Sequence, residues 1–125
     1  MNRSIHHIVL MLIATWLVIP TAQSEALSGA QLYDVACEAC HSLGSAPDHR
    51  VGAPLGNLLD RKAAAIEGYR YSEALLASEW VLTLPTLLAW LSEPDTAIPD
   101  NAMNYVNALT AEESQRLAEW LLQQP

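Results

Sequence analysis

Five consecutive residues, Cys37-Glu38-Ala39-Cys40-His41, constrain this chain more than anything else in it. Cysteines three apart share one face of a helical turn, and here a histidine follows the second directly. C-x-x-C-H is the pattern of covalent haem attachment. Each residue has a geometric reason to be there. The two thiols add to the two vinyl groups along one side of a porphyrin, and the adjacent imidazole reaches over the ring to the iron. Thioethers hold the group irreversibly, which matters in a protein that would otherwise lose it by dilution.

Other readings of these residues are weaker. A thioredoxin-like redox pair follows a strand in a βαβ context, and strand-like alternation is absent from this sequence. Zinc needs four ligands, and Cys37, Cys40, His41 and His49 make a cramped set with no second C-x-x-C. A disulfide between cysteines so close in sequence closes a tiny loop and stabilises little.

The N-terminal stretch reads as an address. Residues 1–7 hold Arg3 and two histidines with no acid, and residues 8–19 are apolar almost without a break. That is the n-region and h-region of a secretory signal. The run stops at Pro20, short of the ~20 residues a membrane-crossing helix needs. Ala22-Gln23-Ser24 then offers small residues to signal peptidase. The expectation is a cleaved signal peptide over 1–24 and one folded domain over 25–125, periplasmic or otherwise exported, with no stable membrane insertion after cleavage. An uncleaved anchor is the alternative. Cleavage removes Met1, Met11, His6 and His7, so the mature chain keeps only Met103, His41 and His49 of those types. All 14 acids remain, against five bases once Arg3 has left, which argues against a nucleic-acid partner.

Breakers divide the mature chain into helices joined by turn-rich loops. Ser28 with Gln31 makes a capping box for a first helix running to about Cys40. Pro47, Gly52, Pro54 and Gly56 keep the next stretch irregular, and Gly68 ends a small segment after it. A short helix fits residues 72–77. Thr83 and Pro85 open another through Leu87, Leu88, Trp90 and Leu91, which stops near Pro94. Thr110 with Glu113 caps a final helix carrying Leu117, Trp120 and Leu121 on one stripe. Gly29, Leu32, Tyr33 and Ala36 offer that stripe a partner on the first helix. The fold class is all-α, with a core thin enough to need a large apolar group at its centre.

An iron that exchanges electrons without binding small molecules needs a sixth ligand. Met103, in Ile98-Pro99-Asp100-Asn101-Ala102-Met103, is the leading candidate, because Pro99 stiffens the loop that carries it. His49 is the rival. An open sixth site would make the chain a gas-binding or peroxidase-like haem protein instead.

The ordered set Gly29, Tyr33, Cys37 to His41, Gly52 to Leu55, Arg61-Lys62, Gly68-Tyr69-Arg70-Tyr71-Ser72, Trp80, Pro94, Ile98-Pro99, Met103, Leu117 and Trp120 closely resembles the class I cytochrome c family, over nearly all of residues 28–122. The resemblance implies a small cytochrome c-like fold, in which N- and C-terminal helices cross and loops wrap one covalent haem c. It implies His41 and Met103 as iron ligands, Cys37 and Cys40 as attachment points, and Arg61, Tyr71, Trp80 and Asn101 near the haem propionates. It also implies electron transport without enzymatic activity, between a redox protein donor and acceptor, either as a free carrier or as the haem subunit of a periplasmic dehydrogenase.

Some positions depart from the family. Ala53 and then Pro54 follow Gly52 where glycine-proline is usual, so a hydrogen bond from the proximal imidazole to the Ala53 carbonyl is expected with altered geometry. Asp100-Asn101-Ala102 replaces glycine-threonine-lysine, and Trp90 stands where tyrosine is frequent. The lysine ring of mitochondrial members is missing, so partners should be neutral or basic where they dock.

Overall fold

The computed structural model describes residues 25–44 and 50–125. The signal-peptide expectation for residues 1–24 and the rival ligand His49 lie outside the described residues. Five helices follow in order: α1 (Gly29–Ala36), α2 (Glu73–Ala77), α3 (Leu84–Ser92), α4 (Pro94–Ala97) and α5 (Ala111–Leu121). The only β pairing among the described residues is one isolated bridge between Lys62 and Val81.

The helix starts are written in their caps. Ser28 Oγ accepts from Gln31 N–H at 3.3 Å, and Gln31 Oε1 accepts from Ser28 N–H at 2.9 Å. Thr110 and Glu113 repeat the arrangement at α5, at 3.2 and 2.9 Å. Each such cap is worth about 1 kcal/mol. Helix α1 is shorter than its sequence pattern suggested. The Tyr33 carbonyl accepts from both Cys37 and Glu38 N–H, and residues 37–41 then wind as a tight turn, with Cys40 and His41 N–H both donating to Cys37 O. Helix α3 stops where expected, but Pro94 itself starts the short α4, at a first-turn position where the missing N–H costs nothing.

Helices α1 and α5 cross. Leu32, Leu117 and Ala118 are fully buried at the crossing, and Tyr33 and Trp120 pack with ring centroids 5.7 Å apart. Gly29 permits the approach, because a Cβ there would stand 2.2 Å from Trp120 Cβ. Arg116 Nε donates to Leu27 O at 3.1 Å and pins the open end. Leu58, Leu87, Leu91 and Leu121 continue the core away from the crossing. Each fully buried leucine contributes roughly 1.5–3 kcal/mol. Beyond them the core opens into a cavity, because the chain around it is mostly loop, with only the short α2 and α4 interrupting it.

Candidate functional site

The cavity has a volume of about 290 Å³ and is walled by apolar side chains, among them Leu55, Leu58, Leu82, Leu87, Leu91 and Ile98. Cys37, Cys40, His41 and Met103 all border it. Thus the turn after α1 and the loop before α5 deliver the four candidate attachment and ligand residues to one space.

No disulfide joins Cys37, which is buried, to Cys40, which is exposed. Burial, with a smaller contribution from Cys40, pushes the Cys37 thiol up to about 11. A redox-active pair needs the opposite, a thiol lowered toward thiolate. Among the described residues no three His, Cys, Asp or Glu side chains cluster to hold a metal ion.

His41 is fixed from several sides. Its Nδ1–H donates to Ala53 O at 2.7 Å, so the departure from glycine-proline keeps the expected bond. That bond places the proton on Nδ1 and leaves the Nε2 lone pair for a metal. Burial lowers the imidazole's pKa and so favours the neutral ring that a ligand must be, while the Ala53 bond acts in the opposite direction. Gly52 lies against the ring, and a Cβ there would be 2.2 Å from His41 Cε1. Gly52 N–H donates to Cys40 O at 2.7 Å and Leu55 N–H to Ser42 O at 2.8 Å, holding the two segments together.

Met103 is set by its backbone. Asn101 Oδ1 accepts from Met103 N–H at 2.7 Å, while Asn101 Nδ2 donates to Asp95 Oδ1 at 3.0 Å and Ile98 O at 2.9 Å. Asp100, with φ 62°, makes the turn that allows this. Asn101 is not among the residues lining the cavity, unlike Arg61, Tyr71 and Trp80. Its side chain folds the methionine loop.

Arg61 donates to Gly56 O at 2.7 Å and Pro54 O at 3.0 Å, bracing the loop whose Ala53 carbonyl orients His41. Tyr71 accepts from Ile66 N–H at 3.3 Å, a bond that leaves its own O–H proton unused, and burial raises its pKa so that the phenol stays protonated. Arg61, Lys62 and Arg70, three of the five bases in residues 25–125, border the cavity, with Lys62 paired to Glu79 at 3.3 Å. Bases gathered at one apolar cavity in an acidic chain fit a ligand that is apolar in body and carries carboxylates.

The sequence did not reveal Tyr69. Its hydroxyl donates to Val51 O at 2.8 Å, its ring meets Tyr71 edge-on at 4.6 Å, and it joins two loops across the cavity. Only its place in the run Gly68 to Ser72 hinted at a role.

A family model for cytochrome c matches residues 26–125. The chain belongs to the cytochrome c family. It is a class I, mono-haem member, and the family's single covalent haem c matches the spacing of Cys37 and Cys40. Cytochrome c2 iso-2 of Magnetospirillum molischianum is 33% identical over 85 residues, 68% of this chain and 87% of that one. Cytochrome c2 of Blastochloris viridis is 29% identical over 106 residues, 85% of this chain and 83% of its own. Among solved structures, cytochrome cH from Methylobacterium extorquens superposes with a TM-score of 0.67 at 24% identity, over 74% of this chain and 92% of that one, a likeness of fold. This cytochrome is a mono-haem electron carrier. No helix among the described residues is long and apolar enough to cross a membrane.

Proposed function

We propose that the chain is an exported one-electron carrier, with residues 1–24 removed as a signal peptide and residues 25–125 folding around haem c. Cys37 and Cys40 would form the thioethers, and His41 and Met103 would bind the iron. Arg61, Tyr71, Trp80 and Asn101 would lie near the propionates, and Asn101 also holds the Met103 loop. The observation that carries this reading is the convergence of Cys37, Cys40, His41 and Met103 on one apolar cavity.

Once bound, haem supplies an iron centre that takes up and gives back one electron. The protein's part is to keep that centre unchanged as charge comes and goes. Ala53 O holds the imidazole ring, and Asn101 holds the methionine backbone, so neither ligand rearranges. The soft thioether of Met103 favours the ferrous state. Leucine walls exclude water, and Arg61 offsets carboxylate charge. No general acid, base or nucleophile is required.

Docking follows from the surface. Val51 is 78% exposed and borders the cavity, offering an apolar contact there, while the chain as a whole is acidic. Partners with neutral or basic docking faces fit it. Co-purification with a periplasmic dehydrogenase would mark a permanent haem subunit, and its absence a free carrier. Absorption spectra of the matured protein in both oxidation states test the ligand set. A sulfur-to-iron charge-transfer band in the ferric form is expected, and a ferric spectrum without it would remove Met103 from the iron.

A further inference from the structure

A tyrosine stands in the helix crossing where packing alone asks only for an aromatic ring. Tyr33 is 5% exposed and packs on Trp120. A phenol so placed needs a hydrogen-bond partner, because a buried hydroxyl left unsatisfied is destabilising. The partner is the main-chain carbonyl of His41, at 2.7 Å and eight residues away. The same Tyr33 also ends α1, since its own carbonyl accepts from Cys37 and Glu38 N–H. One residue thus shapes the turn of the attachment motif at its start and grips it at its end. The imidazole of His41 is meanwhile seated against Ala53 O and Gly52.

We propose that Tyr33 is a positioning residue for the proximal ligand, its phenol fastening the His41 main chain to the α1–α5 crossing so that the imidazole stays seated on Ala53. This rests on the reading of His41 as the iron's proximal ligand. The Ala53 bond fixes the ring's tautomer and basicity only while the backbone carrying the ring stays in place. The Tyr33 bond supplies that restraint from the buried side, where Leu32, Leu117 and Ala118 pack the crossing.

The test compares two variants of the haem-loaded protein. Tyr33→Phe keeps the ring and deletes the hydroxyl, while Trp120→Phe disturbs the same crossing without touching His41. In the reduced, diamagnetic state, exchange of the His41 Nδ1–H with solvent is measured by NMR beside the Leu117 amide. Loss of one net hydrogen bond speeds local opening about 2- to 12-fold. Tyr33→Phe should therefore accelerate His41 Nδ1–H exchange by that factor and raise the reduction potential, as a less firmly bonded imidazole donates less to ferric iron. Trp120→Phe should speed the Leu117 amide and move both His41 readouts less than Tyr33→Phe does, since the phenol bond itself survives. Equal behaviour of the two variants at His41 overturns the proposal. Should Tyr33→Phe fail to mature, the unaltered protein still decides: a slowly exchanging Tyr33 hydroxyl proton with a cross-peak to His41 Hα supports the bond, and a rapidly exchanging one refutes it. If His41 is not the ligand, His41→Ala keeps the wild-type spectrum, an outcome distinct from any at Tyr33.

Discussion

Replacing Gly52 by alanine should damage the iron site from one methyl group. The new Cβ would stand 2.2 Å from His41 Cε1, 2.5 Å from Nδ1 and 2.7 Å from Nε2. Ordinary contact begins at 3.4 Å, so the ring must retreat by about 1.2 Å. Ala53 is the next residue, and its 2.7 Å bond to Nδ1 can lengthen only about 0.5 Å before leaving hydrogen-bond range. The bond therefore breaks. Overpacking costs about 1–3 kcal/mol and the lost bond about 0.5–1.5 kcal/mol, together about 1.5–4.5 kcal/mol. For a domain of this size the melting temperature should fall on the order of 10–30 °C. Thermal melts of the haem-loaded protein measure that fall. Gly29→Ala is the matched control, since its Cβ would also meet its neighbour at 2.2 Å, but that neighbour is Trp120. It should lose similar stability while keeping the wild-type spectrum, whereas Gly52→Ala should change the iron's ligand bands. A Gly52→Ala protein with unchanged spectrum and melting temperature would refute the reasoning.

Other outcomes follow from single contacts. Reduced wild-type protein should not take up carbon monoxide readily and Met103→Ala should, as stopped-flow absorbance will show. Arg61→Gln loses charge-assisted bonds to Pro54 and Gly56 and should cost about 1.5–3 kcal/mol in denaturant titration. The Thr110 backbone N–H, and then the Thr110 hydroxyl, hold the Glu113 carboxyl below the usual glutamate range. A lowered folded-state pKa means that this stabilisation is complete above the ordinary glutamate range and is lost as pH falls through the lowered value. Melts of wild type and Glu113→Gln should accordingly differ more at neutral pH than in acid.

Much of the fold was legible because its signals are local. The Ser28 and Thr110 caps mark α1 and α5 within four residues each, and the Leu117, Trp120, Leu121 stripe is a period that any face-to-face packing must satisfy. Pro94 was correctly read as the stop of α3, but its second role as the first residue of α4 depends on chain reversal that no short window shows. Helix α1 ends at Ala36 because the Tyr33 carbonyl serves two donors, a choice made by the attachment turn. The site divides in the same way. The spacing of Cys37, Cys40 and His41 is a sequence property, and the Ala53 bond could be expected from its place after Gly52. The brace from Arg61 to residues 54 and 56, the Tyr69 to Val51 link and the grip of Tyr33 on His41 join residues through space. The bonds of Asn101 to Asp95, Ile98 and Met103 follow the left-handed Asp100 and were likewise beyond any short window of sequence.

The covalent pigment is the point at which everything can fail at once. Protein exported with the haem-attachment machinery and extracted with acidified acetone should keep one haem per chain, and its alkaline pyridine spectrum should be that of a haem with both vinyl groups saturated by thioethers. A colourless preparation, or pigment passing into the organic phase, would contradict attachment at Cys37 and Cys40.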